Sequence, residues 1–252
     1  MDHETLNTNK VKYLDWDSQF FGFTIGRIHA NDCTGDRLRK ELENARKEKI
    51  NFIELFCEAS DTESIYSTEG SGFHLADLRL TFIKKLPGDV SEDISLEGLT
   101  FKKAGIEDID RLKIVGHGLF TNSRYYRYPE FDRNKVDLMF QIWIEKAIKG
   151  EFDDELYYLC DETGILAFNS LRYRENAASL GLFGIDEAYR GKGLGGLLLN
   201  RVSHLLHKRR VAEVKVVTQG KNSSALHLYQ KNGFYLSKIT LCYYQWLEFK
   251  EK

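Results

Sequence analysis

Proline is nearly absent: Pro87 and Pro129 are the only two in 252 residues, so helices and strands are rarely interrupted. Cysteine is scarce too. Cys33, Cys57, Cys160 and Cys242 lie far apart, without the paired spacing of a zinc site, and are expected to be reduced, buried and apolar in role. Neither sign of charge is in excess. Lysine and arginine number 36 against 38 acids, a formal net charge of −2, which gives no general attraction to nucleic acid or to an acidic membrane. No apolar run approaches the length of a spanning helix, and the polar opening Met1 to Lys10 has no signal-peptide core. A cytoplasmic protein is expected. What is present, 42% hydrophobic and 29% charged residues, is the composition of a globular chain long enough for two modest domains or one large one.

Glycine is concentrated in one place. Leu180, Gly181, Leu182, Phe183, Gly184 and Ile185 read as a strand, and Asp186 to Tyr189 lead into Arg190, Gly191, Lys192, Gly193, Leu194, Gly195 and Gly196. A helix follows, with Leu197, Leu198, Val202, Leu205 and Leu206 on one stripe and Lys208, Arg209 and Arg210 at a C-terminus that suits cations. A helix N-terminus presents unpaired N–H groups and a positive dipole end, and glycines let an anion approach them closely. The turn therefore reads as a pyrophosphate cradle with Arg190 and Lys192 adding charge, or as a glycine-rich turn that merely closes a strand on a helix. Two other phosphate loops are excluded. Lys192 is followed by Gly193, not by the serine or threonine that a nucleoside-triphosphate loop needs. Basic Lys208 to Arg210 and the strand Val211 to Thr218 stand where a dinucleotide fold carries its acid.

Arg190, Gly193 and Gly195 match the pattern arginine or glutamine, two residues, glycine, one residue, glycine or alanine. Downstream come a strand, Val214 to Thr218, then Asn222, Ala225, Leu228 and Tyr229, and then Gly233 and Phe234. On these residues Leu180 to Phe234 resembles the GNAT N-acetyltransferases. The resemblance implies an α/β (α+β) fold, a central mixed, mostly antiparallel sheet flanked by helices, with acetyl-CoA as co-substrate and no metal. It implies that the pantetheine arm pairs with the backbone of Phe183 and Ile185 beside Gly184, and that Arg190 to Gly196 hold the pyrophosphate. Asn222 would contact the arm or simply cap its helix, and Tyr229 would be the general acid for the leaving thiolate or a core aromatic. No general base is evident. Leu180 to Ile185 hold no carboxylate, His227 turns away from Tyr229, and Glu175 or water is left for the role.

Ahead of this stretch, Tyr13, Leu14, Trp16 and Phe20 to Phe23 form an aromatic cluster after an expected loose tail, residues 1–10. Strands are expected over Phe23 to Ile28, Asn51 to Cys57, Phe73 to Leu75 and Leu78 to Leu86. Helices are expected from Asp36 to Glu48, capped by Thr34, and after a Ser60–Glu63 capping box up to Gly70. Pro87 to Asp93 reads as a linker, giving domains 1–90 and 97–252. Gly72, Phe73, Leu75, Leu80 and Phe82 recur with identical offsets as Gly233, Phe234, Leu236, Leu241 and Tyr243. The first domain is thus expected to be a smaller, reduced GNAT-like copy that binds no coenzyme, since Asn31 to Gly35 lack the glycine pattern.

The second half opens with a strand near Leu99 to Lys103 and two helices, over Ile106 to Val115 and from Asp132 to Gly150. A hairpin follows, Leu156 to Asp161 and Ile165 to Tyr173. Between the helices, Arg124, Tyr125, Tyr126, Arg127 and Tyr128 offer stacking and phosphate-pairing groups, or form a solvated loop with scattered aromatics. Resemblance extends here to family members that acetylate the 4-amino group of a TDP-linked 4-amino-4,6-dideoxyhexose. It is carried by Leu14, Trp16, Asp17, Phe20, Phe21 and Gly22, by Ser123 to Tyr128, by Trp143, Ile144, Ala147, Gly150, Phe152 and Asp153, and by Ser170, Leu171 and Arg172. It implies a homodimer and an acceptor site with Arg124, Tyr125, Tyr126 and Arg172. The alternatives are an acetyltransferase of a protein, peptide or other small-molecule amine, and a non-catalytic acyl-CoA sensor.

Overall fold

The structure is a computed structural model that describes residues 11–29, 34–86 and 98–248. The expected tail 1–10, residues 31–33 of the turn before the first long helix and the expected linker fall outside them. In chain order the elements are β1 (Lys12–Tyr13), α1 (Asp15–Phe21), β2 (Ile25–His29), α2 (Gly35–Lys47), β3 (Phe52–Glu58), α3 (Thr62–Gly70), β4 (His74–Lys85), β5 (Thr100–Lys103), α4 (Ile109–Gly116), α5 (Arg133–Ile148), β6 (Glu155–Cys160), β7 (Ile165–Arg174), β8 (Ala177–Ile185), α6 (Leu194–Lys208), β9 (Glu213–Gln219), α7 (Ser223–Lys231) and β10 (Tyr235–Trp246). This is an α+β fold with mixed strand pairing.

The described residues gather into two compact units. The first holds those up to Arg79, with Arg127–Asp132 and those from Lys238 onward; the second holds Leu80–Tyr126 and Arg133–Ser237. These units cut across the contiguous division 1–90 and 97–252. The physical reason is an exchange of strands. The later part of β10 pairs antiparallel with β3, from Trp246 opposite Phe52 to Thr240 opposite Glu58, while the later part of β4 belongs with β9, where Leu86 N–H donates to Ala212 O at 2.9 Å.

In the first unit β2 and β3 pair in parallel and β1 pairs antiparallel with β2. Leu38, Leu42 and Ala45 of α2, three and four apart, bury one face of that helix against Ile28, Ile53, Leu55, Cys57 and Tyr243. The α2 stripe, α2 itself and β3 lie where the periodicity places them. Two local expectations are corrected. The cap of α3 is Asp61, whose carboxylate accepts from Ser64 N–H at 3.1 Å, and no Ser60–Glu63 box forms. Residues 74–85 form one strand, not two. Asp77, which reads as a turn residue, is buried in that strand and accepts from its neighbour Leu78 N–H at 2.8 Å.

In the second unit β5, β6, β7 and β8 form an antiparallel meander and β9 joins β8 in parallel. Leu198, Leu199, Val202 and Leu206 of α6 are fully buried against Leu159, Ala167, Leu171, Leu180, Val214 and Val216, each contributing roughly 1.5–3 kcal/mol. On the other face α4 and α5 approach closely, because a Cβ on Gly116 would stand 2.2 Å from Ile144 Cδ1. Among the described residues no helix is long and apolar enough to cross a membrane, and no three histidine, cysteine or carboxylate side chains gather as a metal site.

Candidate functional site

The site begins where two strands part. β8 and β9 pair from Ala177 opposite Glu213 to Leu180 opposite Val216, yet β8 continues to Ile185 and β9 to Gln219. Past Leu180 no ladder holds them together, and the β9-facing backbone edge of Gly181 to Ile185 is left open. The cause lies on the opposite edge of β8. Its register with β7 shifts between Asn169 and Leu171, so Gly181 and Leu182 both oppose Ser170, a bulge that bends the strand. Side chains of β7 stitch this bulge. Leu182 N–H donates to Ser170 Oγ at 2.7 Å, and Asn169 Nδ2 donates to Leu182 O at 3.1 Å.

Next along the chain is the glycine turn. Asp186 accepts from Ala188 N–H at 2.9 Å and opens a 3-10 turn over Glu187–Tyr189. Gly191 and Gly193 have φ of 77° and 81°, a backbone region that only glycine adopts freely. Gly193 is the N-cap of α6, whose first bond runs from Leu197 N–H to Gly193 O at 3.2 Å. The N–H groups of Leu194, Gly195 and Gly196 thus lie at the open end of a fifteen-residue helix. Gly195 answers a different need: a Cβ there would press to 3.0 Å from both Ile185 Cδ1 and Leu228 Cδ2, so its absence seats α6 against β8 and α7. Arg190 and Lys192 are exposed, the first 3.5 Å from Glu187 and the second 4.5 Å above the Tyr189 ring.

Tyr229 of α7 is 4% exposed, and its ring meets Phe183 of the open part of β8 edge-on at 6.2 Å, with Phe234 at 5.7 Å behind. Burial pushes its phenol well above the usual tyrosine range, so the hydroxyl stays protonated. Asn222 caps α7 through Oδ1, which accepts from Ala225 N–H at 3.2 Å and leaves Nδ2 as a donor. The fold therefore brings Phe183, Ile185, Gly195 and Tyr229 together around one end of β8. Gly184 points elsewhere: a Cβ there would stand 2.6 Å from the Phe168 ring and 2.9 Å from Leu119, so core packing under α4 explains its lack of a side chain.

The loop between α4 and α5 is not one surface. Tyr128 is buried in the first unit, where its hydroxyl donates to Glu54 at 3.1 Å and its ring packs on Phe52 and Tyr244. Arg124, Tyr125 and Tyr126 stay with the second unit. Tyr125 is 6% exposed, under the Arg124 guanidinium at 4.4 Å and edge-on to Trp143 at 6.0 Å. Tyr126 donates to Asp137, and burial together with that carboxylate raises its pKa. Arg172 bonds to the Phe152 carbonyl and lies 3.1 Å from Asp153.

Sequence reasoning missed Asp153, Ser170 and Asn169 as parts of the site. The available signal was Gly181, a glycine inside an otherwise apolar strand, which marks a close approach by something else. A Cβ at Gly181 would fall 2.0 Å from Asp153 Oδ2.

Residues 153–236 match the family model described as an acetyltransferase (GNAT) domain. Over 231 residues the chain is 23% identical to the dTDP-fucosamine acetyltransferase of Escherichia coli, a match that covers 88% of this chain and 92% of that protein. In fold it is similar to a GCN5-related N-acetyltransferase from Sphaerobacter thermophilus, with a TM-score of 0.66 at 14% identity over 93% of this chain and 75% of that one. It is also similar to a tandem GNAT protein from the clavulanic acid biosynthesis pathway, with a TM-score of 0.61 at 13% identity over 91% and 77%.

Proposed function

We propose that the chain, whose residues 153–236 match an acetyltransferase (GNAT) domain, is an acyltransferase that moves the acetyl group of acetyl-CoA onto the 4-amino group of a TDP-linked 4-amino-4,6-dideoxyhexose. The observation that carries the transfer is the parting of β8 from β9 beside the α6 N-terminus, with Tyr229 on Phe183 at the same end. The residues fit the coenzyme. Open N–H groups at Leu194 to Gly196 and the positive-φ glycines 191 and 193 suit a pyrophosphate, with Arg190 and Lys192 near it. The free edge of Phe183 to Ile185 suits the amide groups of a pantetheine arm.

The bound thioester supplies an activated acetyl carbonyl. Tyr229 holds a proton at its hydroxyl, kept there by burial, for the departing sulfur. Asn222 Nδ2 orients the arm. Arg124, Tyr125, Tyr126 and Arg172 face the acceptor, of which the guanidinium and phenol groups suit a nucleoside diphosphate. What supports this acceptor is the likeness to the E. coli protein along nearly the whole of both chains. The homodimer implied by the same resemblance and the cytoplasmic setting expected from the sequence belong to this proposal, the first tested by sedimentation.

The test is thiol release from acetyl-CoA with TDP-4-amino-4,6-dideoxyhexoses of galacto and gluco configuration, run beside peptide and aminoglycoside amines. Turnover with a TDP-sugar is expected. Turnover with peptides or antibiotics alone overturns the acceptor, and failure to bind acetyl-CoA overturns the whole reading.

A further inference from the structure

Asp153 stands just before β6 and is 4% exposed. Such a carboxylate is costly to bury, and burial does raise its pKa against the pull of Ser170 and Arg172. Its partners show what it accomplishes. One oxygen, Oδ2, accepts the hydroxyl proton of Ser170. A serine hydroxyl has a single proton, so once that proton is turned to Asp153 a lone pair faces the Leu182 N–H, 2.7 Å away. The carboxylate thereby sets the rotor that stitches the β8 bulge, and the bulge bends β8 away from β9.

The other oxygen, Oδ1, is 3.1 Å from Arg172 Nε. Arg172 also bonds to the Phe152 carbonyl, and its guanidinium lies 5.2 Å above the Phe152 ring. That ring is stacked on Trp143 at 5.1 Å, Trp143 meets Tyr125 edge-on at 6.0 Å, and Arg124 covers Tyr125 at 4.4 Å. A continuous ladder of contacts therefore runs from one carboxylate to the loop between α4 and α5. Gly181 completes the device. With a Cβ it would collide with Asp153 Oδ2 at 2.0 Å and Ser170 Oγ at 2.6 Å, so β8 carries no side chain at the place where the carboxylate enters.

We propose that Asp153 is a positioning residue for the transfer: through Ser170 it holds the bulge that opens the coenzyme groove, and through Arg172 it holds the acceptor loop, so one buried charge aligns both halves of the site. This rests on the acetyltransferase reading above.

The two arms separate by variant. Ser170→Ala leaves Leu182 N–H without its acceptor; acetyl-CoA Kd and kcat are expected to worsen about tenfold, with the acceptor KM within about twofold. Arg172→Gln is expected to raise the acceptor KM about tenfold and leave acetyl-CoA Kd within about twofold. Asp153→Asn keeps the shape and should show both changes, and adding either of the other substitutions to it should cost less than it does alone, because they act through one group. Acetyl-CoA Kd is read by calorimetry, which needs no acceptor, and KM with whichever amine the wild type turns over. Failure of the wild type to bind acetyl-CoA sinks the function; wild-type binding with an Asp153→Asn variant that changes only its melting temperature sinks the inference. Should Asp153→Asn not fold, Asp153→Ser, which keeps an oxygen acceptor for Ser170 and removes the ion pair to Arg172, is read in its place, and unchanged acetyl-CoA Kd and acceptor KM in it overturn the proposal.

Discussion

Two stretches of this chain are built on one pattern and differ in two places. β3, α3 and β4 have the same lengths as β9, α7 and β10 and lie 161 residues ahead of them, at 52 and 213, 62 and 223, 74 and 235. The repetition reaches the details. Asp61 and Asn222 cap their helices through the N–H three residues on. Gly72 and Gly233 have φ of 83° and 81°, and Lys49 and Arg210, both non-glycine, have φ of 55° and 59°. The first difference lies at the entrance to the longer helix: residues 30–34 join β2 to α2, whereas the longer 186–193 join β8 to α6 and carry the glycines. A second difference is a side chain. At the position of Tyr229 the first stretch has Thr68, whose hydroxyl donates to Ser64 O at 2.6 Å. The scaffold is repeated, and the candidate chemistry sits in what is not.

The sharpest way to break this comparison is at that pair. Tyr229→Phe is expected to lower turnover about a hundredfold, the usual range for a general acid, with acetyl-CoA Kd unchanged. Thr68→Val removes a buried hydroxyl in the matching place and should cost only about 1 kcal/mol of stability, with kcat intact. Steady-state kinetics and thermal melts on both variants check it. Equal turnover in Tyr229→Phe and the wild type would remove Tyr229 from the mechanism.

Positive-φ glycines give the next contrast. Gly193→Ala and Gly72→Ala each force a side chain into the left-handed region, at about 1–2 kcal/mol, with open space at Gly193 and Gln245 Nε2 3.2 Å away at Gly72. Similar drops in melting temperature are expected. Only Gly193→Ala should also weaken acetyl-CoA binding, about tenfold, by turning the α6 N–H groups off their aim. Equal coenzyme binding in the two variants would mean that the turn does not hold the pyrophosphate.

Much of this was legible locally. Leu198, Val202 and Leu206 of the α6 stripe, the glycine turn and the recurrence of Gly72–Phe73 as Gly233–Phe234 are short-range patterns that survive in sequence, although Leu199 is buried where the periodicity predicts Leu197 and Leu205, which are only partly covered. What was not legible depends on partners far along the chain. Nothing near Trp246 says that it pairs with Phe52, so the strand exchange that mixes the two units was invisible. Asp77 reads as a turn because it is polar, yet it is buried within β4. Tyr125 and Tyr128 look alike in sequence and go to different units. Gly181 announced that something approaches β8 without saying that it is Asp153.

The smallest expected effect concerns how the two long helices end. α6 is closed by Arg209 and α2 by Glu48, and only the cation suits the negative end of a helix dipole. Arg209 is also anchored. Glu155 of β6 takes hydrogen bonds from Arg209, from Lys103 at 2.7 Å and from Tyr173 at 2.8 Å. Burial alone would raise the Glu155 carboxyl, but these donors outweigh it and hold the pKa down at about 2, from an ordinary 4.5. A carboxylate with a lowered folded pKa stabilises fully above its unfolded value and loses that contribution as pH falls through the folded one. The window here is therefore from about 4.5 down to about 2. Wild-type stability should fall by about 1 kcal/mol more than that of Glu155→Gln between pH 6 and pH 3, after allowance for solvent screening, as read from urea midpoints. Parallel acid profiles would show that Arg209 closes α6 through the helix dipole alone, as a cation in place of Glu48 would close α2, and that the anchoring network at the end of the second stretch adds nothing the first one lacks.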